Sequence, residues 1–280
     1  MEATLIRRLA AEVVGTAILV LFGAGSVVAA LRMGGGELQY PGLGFVALTF
    51  ALAIATAIYA FGPTSGAHIN PAVTVALAAT RRFPWAEVPP YVGAQLLGGA
   101  VGAALIVAAF GGQAVDLGTG GTSLADDITY TQGIVTEALA TFLLVTAIMA
   151  LAVDRRAPAG WAGLMIGLAV AAAILASGPL TGGSLNPART FGPMLITGIG
   201  GGDASWGDLP AYVIGPLLGG LVAALTYDLI ARPRAFEEAA PAPLGEGERP
   251  PETAVQPRAA DVPGGNGGDL ARQVPSERKE

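Results

Sequence analysis

Six stretches of this chain carry almost no charge, and each is long enough to cross a lipid bilayer. Val13–Leu31, Val88–Val115, Ala157–Ala188 and Leu209–Tyr227 contain no Asp, Glu, Lys or Arg; Leu38–Thr80 adds only His68, and Ile128–Val153 only Glu137. A span needs about 20 apolar residues to traverse a hydrocarbon core of roughly 30 Å. A helix satisfies its own backbone groups there. Charged residues make up only 13% of the 280 positions, against about a quarter in soluble domains. The chain therefore reads as an all-α membrane protein, with spans near 8–31, 41–61, 89–110, 132–152, 160–177 and 210–230.

The formal charge of −6 says little about these spans, because much of the acidity lies beyond Pro233. That last segment, 233–280, is rich in Pro, Gly, Ala and Glu and is expected to be a disordered cytoplasmic tail. With no cysteine, disulfides and thiolate chemistry are excluded. The single lysine, Lys279, leaves no phosphate-binding G-x-x-x-x-G-K loop, and the single histidine, His68, cannot build a multi-histidine metal site. No cofactor, resident metal, nucleic-acid partner or enzymatic activity is expected. Met1–Leu9 shows no cleavage site after a short apolar core, so Val13–Leu31 reads as a retained helix.

The chain repeats itself. Gly62–Val73 aligns with Gly178–Arg189 at six of twelve positions, including Asn70-Pro71-Ala72 and Asn186-Pro187-Ala188. Glu12…Thr16 is echoed by Glu137…Thr141, and Leu96-Leu97-Gly98-Gly99 by Leu217-Leu218-Gly219-Gly220. Each unit, about 5–112 and 130–232, holds three spans and one short helix, near 70–80 and 186–197. The short helices reach only about halfway through the core at roughly 1.5 Å per residue. If they re-enter and return, Arg7, Arg8, Arg81, Arg82, Arg155, Arg156, Arg232 and Arg234 share one face, with Arg32 opposite. The positive-inside rule selects that arrangement and puts both termini in the cytoplasm. Three spans per unit then invert the second unit relative to the first, and such repeats place a permeation or binding site at the midplane. Small residues spaced by four, Ala94, Gly98 and Gly102, and Gly215 and Gly219, are expected at close helix crossings.

In each Asn-Pro-Ala triplet, Asn suits the N-cap and Pro the first helical position. A lone triplet is an ordinary helix cap. Two at matched repeat positions, each after a Gly-rich run (Gly62–Ile69, Gly178–Leu185), imply irregular backbone along a watery cavity. Its carbonyls form a ladder of acceptors, and the amides of Asn70 and Asn186 donate to a passing oxygen. Each helix N-terminus carries roughly half a positive charge, which opposes cations more than neutral water.

Ser65-Gly66-Ala67-His68-Ile69-Asn70-Pro71-Ala72-Val73-Thr74 and Gly182-Gly183-Ser184-Leu185-Asn186-Pro187-Ala188-Arg189 resemble the loops of the aquaporin, or major intrinsic protein, family. The resemblance spans about residues 5–232. It implies six transmembrane helices plus two re-entrant half-helices, one pore per subunit of a homotetramer, and residence in the cell membrane. It also implies that Glu12 and Glu137 brace the re-entrant loops, and that His68 sits beside the pore. Arg189 stands where the first repeat has Val73, and an arginine near mid-membrane, costing about 2.5–3.5 kcal/mol on insertion scales, is a functional candidate. By family alignment Phe50, Ile174, Gly183 and Arg189 form the selectivity filter. Ile174 departs from the histidine of water-selective members, and Thr190 from the aspartate of glycerol facilitators. The combination is similar to the nodulin-like branch, which implies glycerol, urea or metalloid acids beside water. The function expected is passive passage of water and small uncharged solutes, with protons and ions excluded. The alternative is an ion-coupled secondary transporter, which needs a titratable group in the pathway; a purely structural junction protein would show no flux.

Overall fold

The computed structural model describes residues 3–231; the tail expected at 233–280 lies outside them. Six helices are long and apolar enough to cross a membrane. They are α1 (Leu5–Met33), α2 (Tyr40–Ser65), α4 (Val88–Phe110), α5 (Tyr130–Val153), α6 (Ala162–Thr181) and α8 (Leu209–Ile230). Two shorter helices, α3 (Pro71–Ala79) and α7 (Pro187–Ile199), follow the Asn residues of the repeated triplets. Six spans and two half-helices are what the charge pattern demands. Leucines such as Leu48, Leu52, Leu97, Leu139 and Leu218 are half exposed on the outside, while Glu12, Thr16, Gln95, Glu137 and Thr141 are wholly buried. Apolar outside and polar inside is the arrangement that lipid requires.

α2 and α6 run further than their sequence suggests. Helix continues past Pro63 and Pro179 to Ser65 and Thr181. A proline so near a helix end removes one ladder bond, and the last turn is held regardless by the caps. Gly66 (φ 88°) and Gly182 (φ 74°) adopt left-handed backbone, and their N–H groups donate to Gly62 O and Gly178 O. The irregular segments therefore shrink to residues 66–69 and 182–185.

Small residues bring the helix backbones into contact. A Cβ at Gly98 or Gly102 would overlap the Val13 or Ala17 carbonyl of α1, and one at Gly219 the Ala138 carbonyl of α5. α2 and α6 meet likewise where Gly167 faces Ala51. Each half-helix also leans on a long helix of the other repeat. Gly99 of α4 abuts Ala188 and Gly192 of α7, and a Cβ on Gly220 of α8 would meet the Ala72 carbonyl of α3 at 3.4 Å. The two halves are interlocked through their short helices. Near the end of α8, Arg82 reaches Asp228, and Arg156 bonds both Asp154 and the Ala231 carbonyl.

Gly219→Leu should lower the stability of the purified protein by about 3 kcal/mol, at the upper end of overpacking costs. Gly44→Ala is the control, since nothing lies within 4 Å of its Cβ. Thermal unfolding of both in detergent checks this; equal midpoints would remove the packing argument.

Candidate functional site

Beyond their glycine caps the segments 66–69 and 182–185 turn their N–H groups backward onto two buried carboxylates. Glu12 Oε1 accepts from Ser65 Oγ at 2.7 Å and His68 N at 3.0 Å, and Oε2 from Ile69 N at 2.7 Å and Gln95 Nε2 at 2.9 Å. Glu137 repeats the pattern. Its Oε1 accepts from Thr181 Oγ1 at 2.7 Å and Ser184 N at 2.9 Å, and its Oε2 from Leu185 N at 2.7 Å. Tyr91 donates to Ser65 O at 3.0 Å and Tyr212 to Thr181 O at 2.7 Å. Ala67, Ile69 and Leu185 sit at φ 46°, 44° and 59°. Such non-glycine conformations cost on the order of 1–3 kcal/mol each and persist only where the surroundings impose them. The carboxylates impose them here.

With their N–H groups committed to the rear, the two loops lead into half-helices that meet at their N-termini. Asn70 Oδ1 accepts from Ala72 N, and Asn186 Oδ1 from Ala188 N and Arg189 N. The amide nitrogens cross over: Asn70 Nδ2 donates to Leu185 O and Asn186 Nδ2 to Ile69 O, both at 2.8 Å. A primary amide has two N–H donors, so each asparagine keeps one for another acceptor. Both asparagines line a cavity of about 210 Å³ that also touches Gly66, Ala67, His68, Ile69, Ser184 and Leu185. The rest of its wall is largely apolar, including Leu19, Ile54, Leu144 and Val170.

Of the four residues aligned as a filter, Phe50, Ile174 and Arg189 line this cavity, all 3% exposed or less. The Arg189 guanidinium carbon lies 5.0 Å from the Phe50 ring centroid, and Nη1 donates to Gly120 O at 2.8 Å. The Phe50 ring fills the space left by Gly23, in a π-helical segment of α1 (Leu19–Ala24). Gly183 is placed differently. At φ 61°, with its N–H held by Thr181 Oγ1, it packs against Ile174, and an added Cβ would meet Ile174 Cα at 3.2 Å. Gly183 is not among the residues that line the cavity.

His68 combines two positions. The residue lines the cavity; its backbone serves the Glu12 brace, while its ring packs against Phe83 and Tyr91, with Nδ1 3.2 Å from Thr74 Oγ1. The second repeat substitutes a hydroxyl chain: Ser184 Oγ lies 2.6 Å from Thr190 Oγ1, which lies 2.9 Å from Thr122 Oγ1. Thr190 is thus engaged where glycerol facilitators are expected to carry aspartate. Gln95, Tyr91, Tyr212 and Gly120 escaped the sequence reading. A signal for the tyrosines exists, since Tyr91-Val92 and Tyr212-Val213 each begin five residues before a Leu-Leu-Gly-Gly run. Nothing comparable marks Gln95, whose repeat counterpart is Pro216. Among the described residues no group of three His, Asp or Glu could hold a metal.

Glu137→Ala should leave Ser184 N and Leu185 N without acceptors in a buried site, at about 1–3 kcal/mol each. The expected outcome is a lower unfolding temperature together with lost permeability per folded molecule, read by thermal unfolding and stopped-flow light scattering. Unchanged values in both would show that the carboxylate does not brace the loop.

The major intrinsic protein family model matches residues 1–227. A protein named as a probable aquaporin AqpM of Archaeoglobus fulgidus is 48% identical over 246 residues, covering 83% of this chain and all of that one. Aquaporin NIP1-1 of Oryza sativa subsp. japonica is 37% identical over 225 residues, covering 80% and 74%. Among solved structures, the aquaglyceroporin of Plasmodium falciparum superposes with a TM-score of 0.70 at 25% identity, covering 81% of this chain and 97% of its own. With its six spans, its paired Asn-Pro-Ala half-helices and this extent of similarity, the chain belongs to the major intrinsic protein (aquaporin) family of membrane channels.

Proposed function

We propose that the 210 Å³ cavity is part of a passive, bidirectional conduit for water and small uncharged solutes that excludes protons and ions. The observation that carries this reading is the crossed pair of asparagine bonds, Asn70 to Leu185 and Asn186 to Ile69, made where two helix N-termini meet on the wall of one cavity. Each asparagine then offers one N–H to a passing oxygen. Two positive helix ends and the Arg189 guanidinium oppose a cation at that point. A neutral molecule exchanges its hydrogen bonds with these groups and moves on. Phe50, Ile174 and Arg189 act as the filter, with Gly183 supporting Ile174 from behind. Phe50 and Ile174 face a solute's carbon side, and Arg189 its hydroxyls. This suits glycerol, urea or an uncharged metalloid acid as well as water.

Ion coupling is disfavoured by the placement of the acids. Glu12 and Glu137 are fully buried and committed to the loops, and neither lines the cavity. His68 alone among the titratable residues of the expected pathway, apart from Arg189, is on the wall. The assembly is assigned as a homotetramer with one pore per subunit. It resides in the cell membrane, with the arginine-rich face and both termini cytoplasmic.

Purified protein in vesicles should raise permeability above lipid background in water, glycerol or urea gradients measured by stopped-flow light scattering. No rise with any of the three would overturn the conduit. Ile174→His should lower glycerol permeability several-fold relative to water, because a polar, bulkier ring replaces an apolar wall. Unchanged fluxes of both would remove residue 174 from the filter.

A further inference from the structure

Arg189 is anchored by the loop after α4, and that loop is itself held in an unfavourable shape. Nη1 of Arg189 donates to Gly120 O at 2.8 Å, while Nε, although buried, has no partner among the described residues. The guanidinium therefore depends on one loop carbonyl and on the Phe50 ring. Around that carbonyl, Gly118, Thr119 and Gly120 take φ of 66°, 52° and 69°. Left-handed backbone is strained for a β-branched residue such as Thr119. At Gly120 no other residue fits, since a Cβ would overlap the Ala24 carbonyl of α1.

Within residues 118–120 it is Thr119 whose side chain reaches α7, in addition to the Thr122–Thr190 contact two residues further on. Thr197 Oγ1 donates to Thr119 Oγ1 at 2.8 Å, and the two residues are 1% and 0% exposed. Thr197 lies on α7 eight residues beyond Arg189, about 12 Å further along the same helix. It also lines a second cavity of about 250 Å³, together with Gly118, Gly121 and Thr122. Gly118 and Gly121 border open space on that side, while Thr119 and Gly120 do not line it and Gly120 lies tight against Ala24 of α1. The same half-helix thus presents the filter arginine and, two turns later, the hook that keeps its acceptor in place.

We propose that Thr119 and Thr197 are positioning residues for the filter: their hydroxyl pair holds the Gly120 carbonyl where Arg189 bonds it, and so sets the aperture. This rests on the conduit reading above. When the pair is broken, the Gly120 carbonyl withdraws and Nη1 is released beside an Nε that is already unpartnered. The guanidinium then turns toward the solute path, the remaining source of acceptors, and narrows it. A narrower opening penalises glycerol more than water.

The test compares Thr119→Val, Thr197→Val, the double variant and Thr197→Ser with the parent protein in vesicles. Water and glycerol permeabilities are measured on the same preparations, and thermal unfolding in detergent. Valine keeps the branched shape and removes the hydroxyl; serine keeps the hydroxyl. Each valine variant should lower the glycerol-to-water ratio by about threefold or more, the scale of one net hydrogen bond. The double variant should do no more than either single change, because both remove one interaction. Thr197→Ser should retain the parent ratio. Valine variants that lose thermal stability but keep the parent ratio would make the pair a structural staple only and overturn the proposal, as would additive effects or failure of the serine variant. A parent that passes neither water nor glycerol overturns the conduit itself, a result read before any variant is compared.

Discussion

Two buried carboxylates hold the interior of this protein in shape. Irregular backbone at bilayer depth has no water to satisfy it, and the segments 66–69 and 182–185 are irregular. Glu12 and Glu137 take up their N–H groups from behind, so the loops adopt left-handed residues at Ala67, Ile69 and Leu185 without unmet donors on that side. With the donors committed to the rear, the meeting of the half-helices, the crossing of the asparagine amides and the cavity wall all follow.

The repeats share this brace and diverge around it. In the first, Gln95 donates to both Glu12 and Thr74, and His68 stands near the same threonine. In the second, Pro216 takes the place of Gln95, and the hydroxyls of Ser184 and Thr122 contact Thr190 instead, with neither reaching Glu137. The largest divergence is Val73 against Arg189. It puts a permanent cation in one half of a nearly symmetric interior, where its partners are an aromatic face and a carbonyl. A guanidinium held this way keeps its charge and part of its donor capacity, because no carboxylate neutralises it directly.

The apolar wall and the few polar groups have separate tasks. Leu19, Ile54, Leu144 and Val170 offer no hydrogen bonds, so a solute passing them keeps only those made at the asparagines, the loops and Arg189. A small apolar-walled cavity with few aimed polar groups is selective by orientation and size. Ile174 extends that apolar wall toward Arg189, and Gly183 lets it sit close by carrying no side chain beside it.

Much of this architecture was legible before any coordinates. Charge-free stretches fix six spans because lipid tolerates little else, and the repeated Asn-Pro-Ala triplets mark two helix starts by local capping chemistry. The matched positions of Glu12 and Glu137 signal a shared task, and Arg189 stands out against Val73 because mid-membrane charge is costly. Local rules ended α2 and α6 early, since the Gly-rich runs from 62 and 178 read as irregular while helix continues to glycine caps at 66 and 182. The left-handed backbone of Gly183, which packs it against Ser177 and Ile174, was not legible locally either. The partners of the site stayed hidden: Gln95 on Glu12, Gly120 on Arg189 and Thr119 on Thr197 join residues 83, 69 and 78 positions apart. Such contacts have no period and no local propensity. They exist only once close helix packing brings distant segments together, so the sequence by itself determined the spans, the turns and the buried charge of Arg189, and the tertiary structure decided what holds that charge in place.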